Sequence, residues 1–140
     1  MTYAILERKT DGYRFMHVNT HLDFEGANHL QAQKMIELID EIGFDGMTFV
    51  TGDFNCIPSD RAYKIMYEAG FYDASDIANY AMPGPTGSAP GATRMIDYCF
   101  FRDPKHKLNV ETHVIVRDTI DGKAPSDHCP VYATVIPTID

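Results

Sequence analysis

Two short polar clusters stand beside strand-like apolar runs. Gly52-Asp53-Phe54-Asn55 follows Met47-Thr48-Phe49-Val50, and Ser126-Asp127-His128 precedes Pro130-Val131-Tyr132-Ala133-Thr134-Val135. Carboxylate, amide and imidazole groups at strand ends are those that hold a divalent metal, orient a water and steady a developing negative charge. His21, where the apolar run 13–20 ends, is a third candidate.

Asp53 and Asn55 are two apart, so on a straight strand they point the same way and can grip one water between carboxylate and amide. The competing reading is an Asx-type turn after a strand, with Gly52 supplying unusual dihedrals. Asp127 is a hard oxygen ligand suited to Mg²⁺ or Mn²⁺. His128 can donate a proton or hydrogen-bond a phosphoryl oxygen; the plainer alternative is a turn capped by Ser126 or Asp127 with His128 at the surface. Asp97 opens the apolar run Tyr98-Cys99-Phe100-Phe101. A carboxylate there is costly to bury alone, and a histidine is its natural partner because an Asp–His pair fixes the tautomer and stabilises the imidazolium. A solvent-facing strand-edge Asp is the alternative. His17 and His21 are four apart on or just past a strand, a span of roughly 13 Å that rules out joint chelation. His17 reads as a half-buried sheet residue.

Other chemistries are absent. The chain has no P-loop, no GxGxxG, no GxSxG and no HExxH, and nothing places an imidazole beside Cys56. Cys56, Cys99 and Cys129 are odd in number without CxxC spacing, which reads as free thiols in a reducing compartment. The net charge of −8 is unfavourable for a protein that grips a nucleic-acid backbone. The lysines and arginines are scattered, and Arg102…Lys105-His106-Lys107 reads as a solvated turn. No run approaches a membrane span, and residues 1–8 read as a strand rather than a signal peptide. With the thiols, this gives a cytoplasmic location as the default expectation.

The elements that must position these groups are legible. The 140 residues suit one domain, 1–140. Asp11-Gly12 between the runs 3–9 and 13–20 is a hairpin signal. Residues 28–42 carry Ala32, Met35, Leu38, Ile39 and Ile42 at helical spacing, with Gly43 as the stop. Residues 47–51 read as a central strand covered on both faces. Pro58-Ser59 opens a second helix with Ala62, Ile65, Met66 and Ala69 as its stripe and Gly70 as its close. Residues 79–94 read as a long Pro/Gly loop able to rim the site. Runs 96–102, 108–116 and 131–136 are further strands. The expectation is α/β: one mostly antiparallel sheet of about six strands with two main helices on one face.

With these residues in view, the chain resembles the endonuclease/exonuclease/phosphatase superfamily, the deoxyribonuclease I-like metal-dependent phosphodiesterases. The matching segments are Val18-Asn19-Thr20-His21-Leu22-Asp23, Val50-Thr51-Gly52-Asp53-Phe54-Asn55, Ile96-Asp97-Tyr98 and Ser126-Asp127-His128-Cys129-Pro130-Val131, in the family's order. A helix follows the first, and Pro58-Ser59, a helix and Asp73-Ala74 follow the second. The resemblance implies that His21 contacts the scissile phosphate and that Asp53 orients or deprotonates the attacking water. It implies that Asn55 positions that water or a phosphoryl oxygen, that Asp97 orients His128, and that His128 stabilises the pentacovalent transition state. Asp127, with Asp53 and Asn55, would be on the metal side, with Mg²⁺ or Mn²⁺ as Lewis acid.

The chain departs from the family pattern. The helix-opening Arg common there falls near Asn28 or Leu30, and Thr86-Gly87 stands where a Phe usually follows Thr. Family domains are roughly twice as long, and their first half brings an Asn and a metal-binding Glu, usually after Gln. This chain has no Gln-Glu pair. The expectation is the C-terminal half of the domain, half of a four-layer α/β sandwich, whose exposed sheet face takes the missing N-terminal half or a second copy as partner. The function expected is hydrolysis of a soluble phosphoester, impaired in this half alone, with nucleic acid disfavoured by charge. The alternative is a non-catalytic binding or scaffold module that keeps the fold.

Overall fold

The structure is a computed structural model that describes residues 1–87, 93–105 and 108–137. The chain opens with β1 (Thr2–Glu7) and β2 (Arg14–His21), an antiparallel pair closed by the Asp11-Gly12 turn, in which Arg8 N–H donates to Tyr13 O at 2.8 Å. Helix α1 (Asn28–Ile42) follows and buries Ala32, Met35 and Ile39. It stops at Gly43, whose φ of 66° lies in the left-handed region open to glycine. Strand β3 (Thr48–Asp53) then runs parallel to β2 and lies at the middle of its sheet.

Helix α2 (Arg61–Glu68) buries Ala62, Tyr63, Ile65 and Met66. It starts after Pro58-Ser59 rather than at it, because Ile57 to Asp60 close a turn of their own: Asp60 N–H donates to Ile57 O at 2.9 Å and Ile57 N–H to Asp60 Oδ2 at 3.0 Å. Then come β4 (Tyr72–Asp73), α3 (Ala74–Ile77), β5 (Tyr80–Met82), β6 (Asp97–Arg102), β7 (Leu108–Ile115) and β8 (Val131–Pro137).

The α/β class stands, with pairing mostly antiparallel, but the strands do not form one sheet of six. Among the described residues, β1-β2-β3-β6-β4 form a five-stranded sheet and β5-β7-β8 a three-stranded one. The reason is the two-sided character of the first sheet. One face packs Met16, Val18, Val50, Tyr98 and Phe100 against α1 and α2. The other presents Phe49, Cys99 and Phe101, and β7 and β8 fold over it with Val110, Ala133 and Val135. The short β5 sits inside the segment read as loop; residues 88–92 of that segment, and His106-Lys107 of the expected basic turn, lie outside the described residues.

The cover is partial. Beneath β8 a groove of about 410 Å³ remains, lined by Phe15, His17, Phe49, Phe101, Tyr132 and Val135. Strand β1 is exposed along its length, Tyr3, Ile5 and Leu6 included. Among the described residues, no helix is long and apolar enough to cross a membrane.

At the end of β2 and β3 the two backbones nearly touch. A Cβ on Gly52 would meet Thr20 O at 1.8 Å, and its φ of 141° is closed to most side chains. That approach brings the last residues of both strands, His21 and Asp53, into register.

Candidate active site

Three strand ends converge on one point. His21 ends β2, Asp53 ends β3 beside it, and Asp97 opens β6 as the antiparallel partner of Asp53. Register alone therefore places an imidazole and two carboxylates on the same sheet face. His128 comes from the loop before β8, far along the chain, and its Nδ1 lies 2.8 Å from Asp97 Oδ2. An N–H at Nδ1 donated to the carboxylate leaves Nε2 turned to the site.

Asp53 uses its two oxygens differently. Oδ1 accepts from Asn55 N–H at 2.8 Å, an Asx turn. Oδ2 lies between two imidazoles, 3.4 Å from His21 Nε2 and 3.9 Å from His128 Nε2. The Asx turn read in the sequence forms through Oδ1 and leaves Oδ2 facing the two imidazoles. Asn55 is not aligned with Asp53 by strand alternation, since β3 has ended; it adopts φ 47°. Its amide Nδ2 donates to Leu22 O at 2.8 Å, and its own carbonyl accepts from Asn28 Nδ2 at 3.0 Å. With Nδ2 so engaged, Asn55 Oδ1 is the atom left for a water or cation.

Burial and charge set the electrostatics. Asp53 and Asp97 are mostly covered, His128 is one-third exposed, and His21 is open at 75%. The hydrogen bond that His128 donates to Asp97 raises the His128 pKa above its ordinary value, with the charges of Asp97, Asp53 and Asp127 adding and partial desolvation opposing. Burial pushes the Cys56 thiol up to about 12, which leaves it a poor nucleophile. The three cysteines are free. His17 is half-buried, with Nε2 2.9 Å from Thr51 Oγ1.

Among the described residues, the group of three His, Cys, Asp or Glu side chains whose ligand atoms converge is Asp53, Asp97 and His128, within 4.8 Å of one another. Asp127 is exposed and outside that group; its Oδ1 lies 3.4 Å from Ser126 Oγ. The carboxylate donors fit a hard divalent cation. A cavity of about 350 Å³ beside the pair is lined by Asn19, Thr51, Asp97, Ser126 and His128. The larger groove under β8 is mostly apolar and shares Thr51, Cys99 and Val131 with this cavity, without Asp53, Asp97 or His128 in its lining.

The turn cap read at Ser126 is present, while the supporting roles of Tyr98 and Asn28 were not read from the sequence. Ser126 Oγ accepts from His128 N–H at 3.1 Å. The buried Tyr98 hydroxyl reaches the carbonyls of Cys56 and Met95 at 2.9 and 2.7 Å, tying the loop after Asp53 to the entry of β6. Asn28, noted for lacking the family's Arg, holds Asn55 instead. The bonds from Tyr98 to Cys56 and from Asn28 to Asn55 span tens of residues, and a linear pattern carries no signal for them.

A model of the Endonuclease/Exonuclease/phosphatase family matches residues 7–128. Comparison with curated proteins gives no match. Among solved structures, an endonuclease/exonuclease/phosphatase from Bacteroides vulgatus is 28% identical with a TM-score of 0.83, covering 96% of this chain and 54% of that one. The human Nocturnin catalytic domain, with bound sulfate, is 25% identical at a TM-score of 0.72, covering 94% and 52%. A mannosyl-6-phosphatase of Bacteroides thetaiotaomicron is alike in fold, at 23% identity and a TM-score of 0.82, covering 96% and 55%. The chain spans about half the length of the solved structures it matches.

Proposed function

The chain belongs to the endonuclease/exonuclease/phosphatase family, and on that premise we propose that it carries the water-orienting and phosphate-stabilising side of a metal-dependent phosphoester hydrolase. The observation that supports this most is Asp53 Oδ2 between two imidazoles, with His128 held by Asp97 behind it.

In this reading Asp53 Oδ2 takes the proton of the attacking water, and Asn55 Oδ1 fixes that water's position. His21, open to solvent, meets the phosphate. His128 Nε2–H donates to a phosphoryl oxygen as charge builds there, and Asp97 keeps the imidazolium protonated and aimed. Asp53 and Asn55 would hold Mg²⁺ or Mn²⁺, which would supply Lewis-acid stabilisation; Asp127, exposed and outside the converging group, is the outer candidate ligand. The acidic chain favours a small, soluble phosphoester over duplex DNA.

The matched structures are nearly twice as long, so the remainder of such a domain, or a second copy of this chain, is the partner we propose for the groove under β8 and the exposed β1. The 140 residues alone are then weak or inactive. Turnover of p-nitrophenyl phosphate and bis(p-nitrophenyl) phosphate with and without Mg²⁺ or Mn²⁺ tests the reading. Metal-dependent release supports it and tells monoester from diester. Release that a chelator leaves unchanged contradicts it. Absence of turnover even with the first portion of a longer family member supplied favours the binding-module alternative.

A further inference from the structure

We propose that Thr86 is the positioning residue of the Asp97–His128 pair, tying together the two separate segments that carry these side chains. Thr86 is fully buried. Its Oγ1 accepts from the backbone N–H of both Ile96 and Asp97, each at 3.0 Å. Its carbonyl accepts from Cys129 N–H at 2.7 Å, one residue past His128. One residue thus grips the first residue of β6 on one side and the His128 loop on the other.

The next residue extends the tie. Gly87 bridges to both Arg94 and His128, and a Cβ there would lie 2.5 Å from Ile96 Cδ1 and 3.7 Å from His128 Cε1. The strand Asp97 opens is anchored to β3 by register, but Asp97 sits at its very start, where the ladder ends. The Thr86 hydroxyl stands in for that ladder, since a hydroxyl has two lone pairs and here serves two donors. Removing it takes the side-chain acceptor from two backbone N–H groups, that of the buried Ile96 and that of the part-buried Asp97. The backbone of Asp97 then relaxes, and with it the carboxylate that holds His128 Nδ1 at 2.8 Å.

Thr86→Val keeps the shape and loses the acceptor, whereas Thr86→Ser keeps the acceptor. The first readout needs no activity: ring ¹⁵N spectra of His128 in alkaline buffer, where the neutral ring shows its tautomer. The wild type and Thr86→Ser are expected to hold the proton on Nδ1. Thr86→Val is expected to mix the two tautomers. The second readout rests on the hydrolase reading above: kcat falls about 10- to 100-fold in Thr86→Val with KM nearly unchanged, and Thr86→Ser restores it. If Thr86→Val does not fold, Thr86→Cys, with a weak thiol acceptor, takes its place in both. A folded Val or Cys variant with an unmixed Nδ1 tautomer overturns the proposal, as does a Ser variant that behaves like Val. This second readout is taken with the first portion of a longer family member supplied; no turnover by the wild type in that mixture would strike the hydrolase reading and leave the spectroscopic result to decide Thr86.

Discussion

Asp53 and Asp97 are Cα partners across β3 and β6, and their carboxylates approach one imidazole from opposite sides: Asp97 Oδ2 at 2.8 Å from His128 Nδ1, Asp53 Oδ2 at 3.9 Å from Nε2. One ladder position thereby gives two identical groups two different surroundings. On the proposed reading, Asp97, hydrogen-bonded to the ring, orients it, while Asp53, whose Oδ1 is taken by Asn55 N–H, keeps Oδ2 for a water.

Asp97→Asn tests that division. The amide cannot support an imidazolium, so kcat of the assembled enzyme is expected to fall about 10²- to 10⁴-fold. The Asp97 hydrogen bond is the largest cause of the raised His128 pKa. Its loss moves the alkaline limb of the pH–rate profile to lower pH. The stability that His128 contributes is full below about 6.5 and is lost as pH rises through the raised folded value; denaturation of the variant across that window should show a flatter curve. An unmoved limb would count against the pairing.

Asn55 carries backbone strain as well as an amide. At φ 47°, Asn55→Ala is expected to cost about 1–2 kcal/mol of stability, while Asn55→Gly costs less despite losing the same side chain. Both should lose turnover equally. Urea denaturation with activity on the same samples separates the two effects, and equal destabilisation by Ala and Gly would remove the strain argument.

Asp73 makes a pH prediction away from the site. It is fully buried, accepts from Ser75 N–H at 2.9 Å and from the Tyr63 hydroxyl at 3.2 Å, and burial raises its carboxyl from 3.8 to about 6. A raised acid pKa means the folded state binds the proton more tightly, so its relative stability is full below 3.8 and is lost as pH rises through 6. The loss is on the order of 3 kcal/mol at most. Asp73→Asn keeps the N-cap acceptor and should flatten stability between those values. A variant that tracks the wild type over that range would contradict it.

The exposed Tyr3, Ile5, Leu6, Tyr132 and Ile136, with the groove under β8, predict self-association. Light scattering at micromolar concentration should find a dimer or larger. A stable monomer would remove the second copy as the partner of this face.

The parts of the fold governed by local pattern were legible. The 3.6-residue stripe and Gly43 bound α1, the Asp11-Gly12 turn gave the first hairpin, and the unbroken apolar run marked β3 as central. Sheet membership was not, because β7 and β8 alternate as a member of either sheet would, and only the apolar Phe49 and Phe101 face decides where they pack. The two-residue β4 and three-residue β5 are set by their partners, not by their own residues. In the site, types and order pointed to His21, Asp53, Asn55, Asp97 and His128. The meeting of Asp53 with His128, and the tie at Thr86, join segments far apart in the chain.

The most direct test of the central claim is phosphoester turnover by this chain mixed with the first portion of a longer family member, in Mg²⁺ or Mn²⁺, against the same mixture carrying Asp53→Ala. The account predicts little turnover by the chain alone, clear turnover in the mixture, and its loss both on chelation and in the Asp53→Ala mixture. Turnover in the mixture that survives Asp53→Ala would contradict it.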